Sequence, residues 1–199
     1  ECGIFGVHNH SDAAALTVLG LHALQHRGQE AAGIISRDVD QFYQEKTLGL
    51  VGKGFSKKDV INRLKGNFAI GHTRYSTTGS STTKNIQPIF ADLSFGSISI
   101  CHNGNITNAL TLRNDLINKG SIFHTTSDTE TVIHLIAKSE KHQFIDKLID
   151  AISQITGAYS LVIMTDKLMV GARDPFGVRP LVIGKLENGA KVFSSETVA

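Results

Sequence analysis

The stretch ECGIFGV at residues 1–7 places Cys2 one position behind a leading glutamate. A thiol is nucleophilic only as its thiolate, and an unperturbed pKa of about 8.5 calls for a nearby base. A cysteine with a free amino group carries one. Its α-amine titrates at about 7.7–8.0, so it can take the thiol proton and later hand it to a departing amine. An amide nitrogen has no such basicity, which blocks the arrangement while Glu1 is attached. On position alone the simpler reading of Cys2, a small buried residue in a glycine-rich strand, carries more weight.

Other stretches hold complementary chemistry. GHTRYSTTG at 71–79 puts Arg74 at the end of an apolar run, beside a hydroxyl-rich loop with Thr77 and Thr78. A guanidinium offers a planar fork of donors that suits a carboxylate or phosphate. His72 alternates with Arg74 and is expected on the same strand face, where a satisfied core histidine is an equal reading. CHNGNITN at 101–108 sets Asn103 and Gly104 between a strand and a helix. A side-chain amide and the following N–H can converge on one oxygen as an oxyanion hole, although Asn-Gly is also a favoured turn. In TTSDTE at 125–130, Ser127 and Glu130 read as a capping box, which leaves Asp128 to hold an ammonium at a helix start. QHRGQEAAG at 25–33 offers Gly28 as a left-handed helix cap and Arg27 either as a donor to the last helix carbonyls or as a residue at a binding site. In RDPFGVRPL, Arg173 and Arg179 read as structural partners of Asp174, and Cys101 reads as a core residue. Together these groups suit one ligand class: an α-amino acid with a side-chain amide, glutamine or asparagine.

The elements that must position them follow from hydrophobic periodicity. Strands are expected at CGIFGVHN, AAGIIS, QFYQEKTLGLV, NFAIGHTRY and LSFGSISICHN, and again at AYSLVIMT, KLMVGAR, PLVIGKL and AKVFSS. Helices are expected at DAAALTVLGLHALQH, SKKDVINRL, TNALTLRNDLINKG, SDTETVIHLIAKSE and FIDKLIDAISQI. Strands gathered at both ends with helices between them predict an α+β domain with mainly antiparallel sheets.

With 199 residues, 41% apolar and 19% charged, the chain fits one folded domain. A formal charge of +2, spread thinly, asks for no nucleic acid and no membrane surface. No apolar run is long enough to span a bilayer. Two cysteines make no disulfide framework, which predicts a cytoplasmic setting. CxxC, HExxH, Walker and GxGxxG patterns are absent, so no metal or nucleotide site is predicted. The ending KVFSSETVA, without cap or tail, reads as a cut through a longer chain.

CGIFGV, QHRGQEAAGI, GHTRYSTTG, CHNGNITN, SDTE and RDPFGVRPL, in that order, resemble the glutaminase domains of the amidophosphoribosyltransferases, which are N-terminal-nucleophile hydrolases. The resemblance spans residues 1–199 and implies a four-layer αββα sandwich. It implies Cys2 as the nucleophile that forms a γ-glutamyl thioester, with Asn103 and Gly104 as the oxyanion hole. It implies Arg74 and Thr77 on the glutamine α-carboxylate, Asp128 on the α-ammonium, and Arg27 flanking the pocket. It implies Glu1 as a propeptide remnant, and a phosphoribosyltransferase domain, absent here, that receives ammonia and makes 5-phosphoribosylamine for purine synthesis. Full-length members are expected to be homo-oligomers using Mg2+, some with an iron–sulfur cluster whose ligands fall largely beyond this stretch. Glucosamine-6-phosphate synthase, glutamate synthase and asparagine synthetase share the machinery, but the QHRGQEAAG and RYSTTG wording favours the purine enzyme. A catalytically silent glutamine-binding domain is the alternative from another class.

Overall fold

The computed structural model describes residues 1–39, 41–75 and 83–199. Ten strands and six helices follow one another: β1 (Gly3–His8), α1 (Ala13–Ala23), β2 (Ala31–Asp38), β3 (Gln41–Leu48), α2 (Val51–Gly54), α3 (Lys58–Arg63), β4 (Phe68–Arg74), β5 (Ile89–Leu93), β6 (Gly96–Ile106), α4 (Ala109–Asn118), α5 (Asp128–Lys138), α6 (Phe144–Gln154), β7 (Gly157–Thr165), β8 (Met169–Arg173), β9 (Val182–Lys185) and β10 (Lys191–Ser194). The strands form two antiparallel sheets, ordered β3-β2-β4-β1-β10-β9 and β5-β6-β7-β8. The α+β class with antiparallel sheets is therefore as expected.

Alternation within the strands decides which side chains meet. In β1, Phe5 and Val7 join α1, Leu21 and Leu24 in one core, while Ile4 points the other way. Ile4, Ile35 and Ile70 of the first sheet then pack against Cys101, Val162 and Met164 of the second. On the far side of the second sheet, Ile98, Ile100, Leu161 and Ile163 pack with Val132, Ile133 and Ile136 of α5 and Leu148 and Ala151 of α6. Strands β1, β4, β6 and β7 are thus covered on both faces, which explains their almost continuous apolar wording.

Four details differ from the sequence reading. β5 was hidden because it is a five-residue edge strand that directly follows Pro88 and a polar stretch of sequence. Gly28 is extended (φ −168°, ψ 131°), so it is no left-handed cap. It is needed for a close approach: a Cβ there would sit 2.6 Å from the Arg74 carbonyl carbon and oxygen. The capping box at Ser127 is half formed. Ser127 Oγ accepts from the Thr129 N–H, but Glu130 reaches further back, accepting from the N–H groups of His124 and Thr125 and the Thr125 hydroxyl. Among the described residues Asp174 makes no ion pair with an arginine side chain; its carboxylate accepts from the backbone N–H groups of Tyr159, Phe176, Val178 and Arg179 and closes the turn.

Candidate active site

The same alternation that builds the apolar seam between the sheets also builds a polar end to it. Ile70 faces the opposite sheet, so His72 and Arg74, two and four residues on, face it too. Ile4 faces it as well, so Cys2 does, and the pairing of Gly3 with Thr73 and Ile4 with His72 carries Cys2 opposite Arg74. From the second sheet Cys101 faces inward, and Asn103 follows on the same face. Beyond the last isoleucines the seam opens into a cavity of about 440 Å³, whose wall includes Cys2, His72, Arg74, Gly104 and Asp128.

The start of β1 is pinned from three sides. The Gly3 N–H donates to Thr73 Oγ1 at 3.2 Å, the Ile4 N–H donates to Ser195 Oγ at 2.9 Å, and the Ser195 N–H returns to the Ile4 carbonyl at 3.0 Å. Arg27, 9% exposed, completes the grip: Nε donates to the Cys2 carbonyl at 2.9 Å, and its terminal nitrogens hold the carboxylates of Glu1 and Glu196. Arg27 was expected among the substrate-binding residues. It is not on the cavity wall, because its donors are spent on the main chain and carboxylates around Cys2. Glu1 is held a second time by Arg179. The Cys2 thiol, half-buried, lies 3.8 Å from the Tyr75 carbonyl.

Asn103 is 1% exposed, and its Nδ2 has no hydrogen-bond partner among the described residues. A buried donor left without an acceptor costs about 1–3 kcal/mol, so a ligand oxygen there recovers a real deficit. The neighbouring amide is aimed by strand geometry. N–H groups two residues apart point to the same strand edge. The His102 N–H goes to Gln87 Oε1 at 2.6 Å and the Ile106 N–H to Asp128 Oδ2 at 3.0 Å, with Gly104 between them. Gly104 has φ +136°, and a Cβ would lie 2.0 Å from the Ala158 carbonyl oxygen, so only glycine fits.

Asp128 is the first residue of α5, where the helix dipole favours a carboxylate. Burial pushes its pKa up, but a hydrogen bond and charge interaction with His102 and the N–H groups of Ile106 and Thr129 outweigh it, holding the carboxyl below its usual range. Asp128 Oδ1 lies 3.3 Å from His102 Nδ1. Arg74 has no carboxylate partner among the described residues, so its charge is left for whatever enters the cavity. Thr77 lies outside the described residues.

Sequence reading missed the amides that brace this wall. Asn85 holds Thr126 through both its N–H and hydroxyl, and Gln87 bridges the His102 N–H and Thr129 Oγ1. Two amides spaced as Asn-x-Gln at the end of a Ser/Thr-rich loop were the available signal. No group of three His, Cys, Asp or Glu among the described residues is placed to hold a metal ion. No helix among the described residues is long and apolar enough to cross a membrane.

A thiol, a glycine N–H, a carboxylate and a guanidinium without a carboxylate partner among the described residues surround one small cavity, and this fits the proteins to which the chain is similar. Residues 72–199 match the glutamine amidotransferase domain family, and the chain belongs to it. Within that class it is similar to amidophosphoribosyltransferases. It is 56% identical over 199 residues to the Rhizobium etli amidophosphoribosyltransferase, covering all of this chain and 40% of that one. It is 51% identical over 200 residues to the chloroplastic amidophosphoribosyltransferase 2 of Arabidopsis thaliana, covering 36% of it. The solved glutamine phosphoribosylpyrophosphate amidotransferase from B. subtilis, complexed with ADP and GMP, superimposes with a TM-score of 0.91 at 43% identity, over 98% of this chain and 42% of that one. The chain thus spans about two fifths of the length of the relatives it matches.

Proposed function

We propose that this chain hydrolyses glutamine to glutamate and ammonia, with Cys2 as nucleophile, as the ammonia-supplying part of an amidophosphoribosyltransferase. The observation that carries the reading is the placement of Cys2 and Asn103 on facing sides of one seam, with an unpartnered amide nitrogen on Asn103. Arg74 and Thr77 take the substrate α-carboxylate, and Asp128 takes the α-ammonium. The Cys2 sulfur attacks the side-chain carbonyl carbon, and the resulting oxyanion is received by Asn103 Nδ2 and the Gly104 N–H. The Cys2 α-amine accepts the thiol proton and passes it to the leaving nitrogen, so ammonia departs and a γ-glutamyl thioester remains. Water, deprotonated by the same amine, then releases glutamate and restores the thiol.

Residues 1–199 form the glutaminase domain in this reading, folded as the four-layer αββα sandwich of the N-terminal-nucleophile hydrolases. Glu1 is a propeptide remnant, and a phosphoribosyltransferase domain in the rest of the polypeptide uses the ammonia to make 5-phosphoribosylamine. The longer protein is a cytoplasmic homo-oligomer that uses Mg2+. The test is a glutaminase assay on two preparations, one starting at Glu1 and one at Cys2. Turnover is expected only from the second; equal turnover from a sample whose mass confirms Glu1 would refute the α-amine as base.

A further inference from the structure

His72 Nδ1, His102 Nε2 and Thr131 Oγ1 belong to cavity-lining residues and are buried without a partner among the described residues, and the first is an acceptor that the proposed chemistry leaves unused. His72 is 1% exposed and faces the second sheet from β4, two residues before Arg74 and opposite Ile4. Its Nε2 lies 3.1 Å from the His102 carbonyl oxygen. A carbonyl only accepts, so Nε2 carries the ring proton and Nδ1 presents a lone pair. That Nδ1 is buried and has no hydrogen-bond partner among the described residues, although the residue lines the cavity. The ring stays neutral: burial first, and then the nearby Arg74 charge, drive its pKa down to about 3 against the raising effect of the His102 carbonyl.

A side-chain amide presents one acceptor oxygen and an NH2 group with two donors. Asn103 Nδ2 and the Gly104 N–H are donors suited to the oxygen. We infer that His72 Nδ1 accepts a hydrogen bond from the amide NH2 of glutamine, making His72 a specificity-determining residue that selects a carboxamide over a carboxylate or an ester. The inference rests on the glutaminase reading and deepens it. Glutamate offers only lone pairs where glutamine offers N–H, so the reaction product meets His72 acceptor against acceptor. The site thereby favours substrate and discharges product with one atom. Leaving a buried polar group unpaired is the general means by which a site rejects an analogue that lacks the matching donor.

The test measures binding to the chain carrying Cys2→Ala and beginning at that residue, which removes turnover. Glutamine, glutamate and glutamine γ-methyl ester are titrated calorimetrically. The ester keeps the carbonyl but lacks N–H, so glutamine is expected to bind at least tenfold tighter than the ester and than glutamate. In His72→Phe, glutamine affinity is expected to fall about tenfold while ester and glutamate affinities stay within twofold. His72→Gln, which keeps a donor for the His102 carbonyl and an acceptor beyond it, restores the preference. Equal binding of glutamine and ester to the unaltered wall overturns the role of His72 whatever the fate of the Phe variant, and so does a parallel loss of all three ligands in a folded His72→Phe. If no ligand binds at all, the glutaminase reading fails with it.

Discussion

The chain has two cysteines on the same seam between the same two sheets, and they live under opposite conditions. Cys101 sits where the seam is closed, fully buried with Ile4, Ile35, Ile70, Val162 and Met164, its thiol 3.5 Å from the Gly71 carbonyl. Burial pushes its pKa well above the ordinary value, despite a lowering influence from Lys46. It is an inert apolar filler. Cys2 sits where the seam opens, half-exposed on a cavity wall with a guanidinium and a carboxylate. In the proposed reading, reactivity is decided by which end of the strand register a thiol occupies, since neither residue type nor sheet layer separates the two.

The largest break in that comparison is Cys2→Ala, expected to lower glutamine turnover by roughly a thousandfold or more, as for loss of any covalent nucleophile. Cys101→Ala should leave turnover intact, and equal losses in the two would erase the distinction. Next comes Arg74→Ala, which removes the charge assigned to the substrate carboxylate. A loss of roughly 2–5 kcal/mol, seen as a large rise in KM for glutamine with a smaller change in kcat, is expected. An unchanged KM would make Arg74 structural. Gly104→Ala combines a strained φ with a clash against Ala158 and should cost about 1–3 kcal/mol of stability from the backbone alone, read from urea unfolding, with most activity lost. Native stability and full activity would contradict the oxyanion geometry.

Asp128 sharpens the comparison through pH. Its pKa is depressed in the folded protein, so its contribution is present above the unfolded value of about 3.9 and is lost as pH falls through the lower folded value. Glutamine affinity should therefore stay flat from neutral pH down to about 4 and weaken only below it; a loss centred near pH 6 would point to another group. The smallest effect belongs to Cys101→Ala itself, about 1 kcal/mol of stability from the lost sulfur contacts.

What the sequence made legible follows from local rules. Alternation in NFAIGHTRY and CGIFGV placed His72, Arg74 and Cys2 on strand faces, and the motif wording assigned roles to Asn103, Gly104 and Asp128. What stayed hidden was anything set by pairing across the chain. The charge of Arg27 between apolar elements was legible, but not the partners it holds, Cys2, Glu1 and Glu196, which are 25, 26 and 169 positions away. Gly28 looked like a cap because it follows a helix, while its real constraint is the Arg74 backbone passing against it. Gln87 showed no periodicity at all, because it ties two elements by its side chain alone.

The most direct test of the account is an intact mass measurement on the chain that begins at Cys2, after exposure to a glutamine-analogue chloroketone. One adduct is expected, mapping to Cys2, blocked by excess glutamine, and abolished by Cys2→Ala while Cys101 stays unmodified. An adduct on Cys101, or no adduct on a folded chain that still hydrolyses glutamine, would contradict the assignment of the nucleophile.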